Sequence, residues 1–153
     1  MTDQWYFAYG SNLSQDQKEA RTRAVRSARV ATLHGFRLVF NKRSKDGSGK
    51  ASIVVDDKHI VWGVAYLCDS EAMAAMDRFE GVCDGGYCQL PVAVRTAGGE
   101  YLDAVTYVAG EAFVCFELRP TQTYLNTILE GARSHGLPKD YVDSIVRVAG
   151  RMP

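Results

Sequence analysis

The chain begins with an aromatic-rich apolar run, Gln4 to Tyr9, which predicts a strand that stops abruptly at Gly10. Ser14 has the character of a helix N-cap, and Gln17 stands three residues on to close a capping box. The helix it opens is expected to run to about Arg26. Its basic residues Lys18, Arg21, Arg23 and Arg26 read most simply as a solvated face. Val30 to Leu33 and Phe36 to Phe40 predict strands separated by His34-Gly35. The stretch NKRSKDGSGK, residues 41–50, is polar and glycine-containing and reads as a mobile loop. Ala51 to Val55 and Ile60 to Leu67 predict two further strands with Asp56-Asp57 in the turn. The second, IVWGVAYL, is nearly continuous in apolar residues, as a strand buried on both faces would be.

Ser70 opens a short helix in which Met73, Met76 and Phe79 repeat every third residue, an apolar stripe expected to be core. Gly81 ends it as a left-handed C-cap. Tyr87 to Arg95 and Tyr101 to Val108 predict a hairpin across TAGG. Thr121 or Thr123 caps a helix carrying Tyr124, Ile128 and Leu129. Gly136 ends that helix, and Pro138 begins a last short one with Tyr141, Val142 and Ile145. The order is strand, helix, several strands, helix, hairpin, two helices, without the regular alternation of a doubly wound sheet. It predicts an α+β fold, one domain over residues 1–153, whose strands curl into a mixed sheet or small barrel.

Composition narrows the range of partners. The 18 basic and 18 acidic side chains balance, so nothing draws the protein to nucleic acid or an anionic membrane, and the expected partner is a small molecule or another protein. Cys68, Cys83, Cys88 and Cys115 form no C-x-x-C pair and no zinc spacing, and are expected to be reduced thiols, some of them core, in a cytoplasmic protein. The opening MTDQW has no basic segment followed by an apolar core, so no signal peptide is expected. No apolar run approaches the ~20 residues of a membrane span.

Two stretches carry chemistry. In Tyr9-Gly10-Ser11-Asn12-Leu13, Gly and Asn both tolerate positive φ, and successive N–H groups in such a turn can form an anion-binding concavity. The following helix adds its positive end, and the expected ligand is a carboxylate or phosphate. The same pattern also serves as an ordinary strand-to-helix connection, and the Gly-Lys-Ser/Thr ending of a P-loop is absent. In MDRFEGVCDGGY, residues 76–87, Glu80 falls in the last turn of a helix, where the carbonyl ends disfavour an anion and raise its pKa. Partial burial would push the same way and suit Glu80 to general base work. The plainer reading is a surface glutamate at an exposed helix end. Asp77 is the alternative acid, and Asp84 reads as a turn residue. His34, His59 and His135 are scattered, with no nucleophile paired to them.

Together these stretches resemble the gamma-glutamylcyclotransferase-like family. The matching pieces are FAYGSNL (7–13), GFRLVFNKRS (35–44), VWGVAYL (61–67), MDRFEGVCDGGYCQLPVAV (76–94), VTYV (105–108) and YLNTILEGARSHGLPKDYVDSIV (124–146). They cover nearly the whole chain in order. The resemblance implies a small mixed β-barrel flanked by helices, and an enzyme that converts a γ-glutamyl compound into 5-oxoproline and a free amine or amino acid. It implies no metal and no organic cofactor. It places the catalytic glutamate at Glu80 and lines the pocket with Tyr9, Gly10, Ser11, Asn12 and Leu13. Tyr87 and Tyr107 match tyrosines associated with the family's site, where each could donate a phenol hydrogen bond. It leaves room for a homodimer. Residues 41–50 and 109–120 diverge, so the amine half of the substrate is undefined; some bacterial relatives remove a γ-glutamyl group from a larger amine. The contrasting reading is a non-catalytic binding module for a γ-glutamyl or carboxylate metabolite.

Overall fold

The computed structural model describes residues 3–22, 25–115 and 117–150, with Cys83 described in its backbone alone. Five strands close into a mixed barrel. They are β1 (Gln4–Ala8), β2 (Ser27–Arg43), β3 (Gly49–Cys68), β4 (Tyr87–Thr96) and β5 (Tyr101–Ala109), in spatial order β1-β3-β2-β4-β5. Every pairing is antiparallel except the one that shuts the barrel, where Trp5 and Tyr6 of β1 run parallel to Ala104 and Val105 of β5. Closure leaves no long open edge for another strand to join. The helices are α1 (Gln15–Arg21), α2 (Ser70–Phe79), α3 (Gln122–Ser134) and α4 (Lys139–Val148). Among the described residues no helix is long and apolar enough to cross a membrane.

The predicted strand pairs at 30–40 and 51–67 are each one long strand. β2 and β3 pair from Ser27↔Leu67 to Arg43↔Gly49, broken only by irregularities at His34/Phe36 and Val39/Lys42. Gly35 and the Asp56-Asp57 stretch therefore mark a bulge, where the long ribbon bends, and not two separate turns. The predicted loop 41–50 shrinks likewise. Both strands run into it, leaving residues 44–48 as a tight turn closed by Ser44 N–H to the Ser48 carbonyl at 2.9 Å.

Ser14 is the N-cap of α1, its hydroxyl accepting from the Gln17 N–H at 3.3 Å. The capping box is not completed. The Gln17 side chain reaches back instead to Ser11 Oγ at 2.7 Å and Asn12 Oδ1 at 3.3 Å. α1 stops at Arg21, short of the expected Arg26, and its basic residues do not form a solvated face. Lys18 is buried, its ammonium donating to Thr22 Oγ1 at 2.8 Å above the Tyr66 ring. Arg21 turns inward, and Arg26 pairs with Asp3 at the surface. Arg23 lies outside the described residues.

The apolar core fills the barrel and the space beneath α3 and α4. Phe7, Val61, Val64, Tyr66, Met76 and Val94 meet Leu125 and Ile128 of α3 and Ile145 of α4, all fully buried. Cys68 joins this core and Cys88 is exposed. Thr121 caps α3 by accepting from the Tyr124 N–H at 3.1 Å, and Pro138 holds the N-cap position of α4.

One contact ties α3 to the segment after β1. A Cβ added at Gly131 would lie 2.4 Å from the Leu13 carbonyl carbon and the Ser14 nitrogen, so helix and turn pack backbone to backbone. Gly131→Ala is therefore expected to lower unfolding stability by about 2–3 kcal/mol, measured by urea denaturation. A loss within about 0.5 kcal/mol, the range of a neutral surface change, would contradict the packing account.

Candidate active site

β1 delivers the chain to the barrel rim at Tyr9, and residues 11–13 form a single tight helical turn before α1. No residue from 9 to 13 has positive φ; Gly10 sits at φ −111° and ψ −135°. The expected left-handed concavity is therefore absent. The turn closes with Leu13 N–H to the Gly10 carbonyl and Ser14 N–H to the Ser11 carbonyl, both at 3.0 Å. The N–H groups that open it, those of Ser11 and Asn12, have no partner inside it, as at the start of any helical turn. Gly10 serves close approach, since a Cβ there would come within 3.1 Å of the Ala51 Cβ on β3.

Asn12 anchors the turn. Its Nδ2 donates to Tyr6 Oη at 3.0 Å, its Oδ1 accepts from Arg21 Nη1 at 3.2 Å, and its carbonyl accepts from Tyr66 Oη at 2.8 Å. Each partner comes from a different element, so the buried amide binds β1, α1 and β3 to the turn.

Glu80 follows α2 directly as its C-cap, its N–H bonded to the Met76 carbonyl at 2.9 Å. Gly81 adopts the left-handed conformation at φ 65° and ψ 37°, ending the helix as its position in the sequence predicts. The Gly86 N–H then returns to the Gly81 carbonyl at 3.0 Å, and Tyr87 N–H to the Glu80 carbonyl at 3.1 Å. Glu80 is thus fixed where helix and β4 meet.

A cavity of about 250 Å3 opens between these parts. Tyr6, Tyr9, Gly10, Ser11, Asn12 and Arg21 line it from β1, the turn and α1, Phe79 and Glu80 from the end of α2, and Lys42, Ser44, Lys50, Ala51, Tyr87 and Tyr124 complete it. The acid that ends α2 and the turn that opens α1 therefore share one cavity. Two expected lining residues do not reach it. Leu13 is fully buried against the core. Tyr107 lies behind the wall, where its phenol donates to Asp77 Oδ1 at 2.5 Å and its carbonyl accepts from the Tyr9 phenol. Asp77 also accepts from Gln89 Nε2 at 2.6 Å, so the alternative acid is engaged outside the cavity. None of the three histidines lines it.

The phenols differ in what they can offer. Tyr87 lines the cavity but spends its proton on the Ala51 carbonyl at 2.8 Å, and Tyr107 spends its own on Asp77, so neither donates a hydrogen bond into the site. Tyr124 behaves differently. Its oxygen accepts from the Ala51 N–H at 3.0 Å and also meets the Ser11 side chain, so this phenol belongs to the cavity wall beside the turn. Burial pushes its pKa up to about 12 and raises Tyr6, Tyr9 and Tyr87 well above the usual value, so all four are neutral at physiological pH. Tyr124 escapes sequence reading because it repeats with Ile128 as part of an apolar helix face. Arg21, Lys42 and Lys50 escape it because charged residues in a helix and a polar stretch read as solvated.

Burial raises the Glu80 pKa, and the positive charges of Arg21 and Lys42 draw it partly back. Among the described residues no hydrogen bond or ion pair holds its carboxylate. Among the same residues no group of three or more His, Cys, Asp or Glu comes together as metal ligands would.

Comparison with known proteins identifies the class. A family model described as the AIG2-like family matches residues 60–145. A gamma-glutamylcyclotransferase of Bos taurus is 32% identical over 142 residues, which is 89% of this chain and 73% of the relative. The gamma-glutamylcyclotransferase of Homo sapiens is 31% identical over 146 residues, 92% of this chain and 76% of the relative. A solved structure titled gamma-glutamyl cyclotransferase superposes with a TM-score of 0.82 at 29% identity, covering 94% of this chain and 86% of its own. The chain belongs to the gamma-glutamylcyclotransferase-like family and is an enzyme of that family.

The raised Glu80 pKa has a sign that can be checked. The folded protein holds the Glu80 proton to higher pH than the unfolded chain does. Stability from this group therefore falls as pH rises from the ordinary carboxylate range through the raised value. Glu80→Gln is expected to melt at a higher temperature than the unmodified chain at neutral pH. The difference should close below the ordinary carboxylate range. Thermal melts across pH test this, and a pH-independent difference would contradict it.

Proposed function

We propose that the chain is a γ-glutamyl cyclotransferase releasing 5-oxoproline, with Glu80 as the general acid and base. The observation that carries this reading is the shared cavity of Glu80 and the Tyr9–Asn12 turn. In the reaction, the substrate's α-amino nitrogen attacks its own γ-carbonyl carbon. A C–N bond forms within the five-membered lactam, and the C–N bond to the departing amine breaks.

The nucleophile is already part of the substrate, so the enzyme's first task is to hold the glutamyl chain folded. Most of the proximity gain, up to about 7–11 kcal/mol between separate reactants, is already built into the substrate, and the enzyme adds the restriction of its remaining rotations. The α-ammonium cannot attack until it loses a proton. A carboxylate with a raised pKa suits both halves of that transfer. It accepts one proton from the α-ammonium, which frees the amine to attack, and gives it to the leaving nitrogen. The second proton, shed as the attacking nitrogen becomes the lactam N–H, ends on the departing amine, which leaves as an ammonium, so the proton count is unchanged.

The opening N–H groups of the turn are assigned to an anion, either the substrate's α-carboxylate or the oxyanion developing on the γ-carbonyl. Arg21, bonded to Asn12, adds positive charge on that side. Tyr124, which lines the cavity beside Ser11, is assigned to the oxyanion as a hydrogen-bond donor. Tyr9, held by the Tyr107 carbonyl, and Tyr87, held by the Ala51 carbonyl, serve as rigid walls that position substrate. The part assigned to Tyr107 is support of Tyr9, without contact to the substrate. The pocket asks for no metal or organic cofactor in this scheme.

Incubation with a panel of γ-glutamyl amino acids and γ-glutamyl amines, read by 5-oxoproline release, tests the reaction. Glu80→Gln keeps size and loses the base, and is expected to lower kcat by roughly 10²–10⁴-fold, the usual contribution of general acid–base catalysis. Undiminished turnover by the variant would refute the assigned role. Binding without turnover by the unmodified chain would favour a non-catalytic module.

A further inference from the structure

The reaction proposed above leaves the departing amine unspecified, and the inference here rests on that reading. The relevant wall of the cavity is built from the end of β2 and the start of β3. Lys42 and Lys50 are direct register partners across this antiparallel pair, so their side chains leave the sheet on the same face, and both line the cavity. Like charges directly opposite on a sheet repel one another and destabilise it. A chain without a use for such a pair has many neutral choices at these positions.

Among the described residues neither ammonium is in an ion pair. Each is held against aromatic rings instead. Lys42 Nζ lies 5.3 Å from the Tyr87 ring centroid and 5.0 Å from that of Phe113, and Lys50 Nζ lies 4.0 Å from that of Tyr124. Ring faces keep a cation in place without neutralising it. Burial lowers the pKa of both lysines, and for Lys50 the nearby charges of Arg21 and Lys42 add to the effect, while Asp46 opposes it. Arg21, Lys42 and Lys50 together face a single cavity carboxylate, Glu80. An incoming anion would relieve the repulsion and find its partners already positioned.

The glutamyl half carries one ammonium and one α-carboxylate and is neutral by itself. With Arg21 on the side of the turn and Asp46 close to Lys50 alone, the positive charge of the Lys42 and Lys50 wall is left to charge on the leaving half. We propose that Lys42 and Lys50 together read the carboxylates of the leaving amine, setting a preference for an acidic α-amino acid as the departing group. An uncharged amine gains nothing from the pair, and a polyamine is repelled by it.

Three substrates make the test: γ-glutamyl-glutamate, γ-glutamyl-alanine and γ-glutamyl-ethylamine, with two, one and no carboxylates on the leaving half. The expected order of kcat/KM follows the carboxylate count, with the ends of the series differing by about 10-fold or more, the scale of a charge-assisted contact. The double variant Lys42→Gln/Lys50→Gln should bring the three together, chiefly through KM. Lys42→Arg/Lys50→Arg, which keeps the charge, should retain the order and also serves if the neutral variant fails to fold. Equal kcat/KM across the series, or an order that survives in the folded neutral variant, would overturn the inference. If no compound is turned over, the cyclotransferase reading fails separately. Calorimetric binding of the same compounds to Glu80→Gln protein still decides the lysines' role: tighter binding of γ-glutamyl-glutamate supports it, and equal binding overturns it.

Discussion

Asn12 is the fixed point on which the site depends. Its amide nitrogen, amide oxygen and carbonyl are bonded to Tyr6 on β1, to Gln17 and Arg21 on α1 and to Tyr66 on β3. A buried amide left without partners loses about 1–3 kcal/mol for each unmade bond, so these elements can vary little in relative position while Asn12 remains bonded. Gly131 of α3 closes the arrangement from behind by packing against the backbone of Leu13 and Ser14. The turn at the barrel rim is therefore rigid before any ligand enters. Rigidity of that kind gives backbone N–H groups their value toward a developing charge, since they need not reorganise during the reaction.

The second constraint is electrostatic and draws on three elements. Glu80 comes from the end of α2, Arg21 from α1 and Lys42 from β2. Burial pushes the carboxyl toward its neutral form, and the two cations pull it toward the charged one. The result is a carboxyl whose pKa lies above its ordinary value, as the proposed proton exchange with an amine requires. Neither the helix end nor the barrel produces this balance alone. The opposite fate of Asp77, three residues earlier, makes the same point. Its Oδ1 accepts from Tyr107 and Gln89 outside the cavity, so it does not share the setting of Glu80.

The general form of the molecule was legible in the chain because periodicity and punctuation agreed. Ser14, Gly81, Thr121 and the TAGG hairpin stand where the sequence puts them, since each acts through its nearest neighbours. What escaped depends on contacts far along the chain. The β2–β3 ribbon reads as four short strands because its bulge carries turn-forming residues, and only pairing between distant segments shows it to be continuous. Asn41 to Arg43 read as loop because polar residues usually face water, whereas here Lys42 borders a cavity. Lys18 reads as solvated for the same reason, and is buried because Tyr66 and Thr22 receive it. The Tyr9–Leu13 stretch was located by its residues, but its conformation was not. Gly10 serves close packing against Ala51 and not a left-handed turn. Glu80 stood out by position, and its surroundings became visible only once the barrel closed around it.

The central claim is that one substrate touches the Tyr9–Asn12 turn and the residue-80 side chain at the same time. A crystal structure of the Glu80→Gln protein with a γ-glutamyl amino acid bound tests it most directly. The account predicts a substrate oxygen, from the α-carboxylate or the γ-carbonyl, within hydrogen-bond distance of the Ser11 or Asn12 N–H, and the α-amino nitrogen within hydrogen-bond distance of the side chain at position 80. A ligand seated elsewhere, or one whose amine faces away from that side chain, would contradict it.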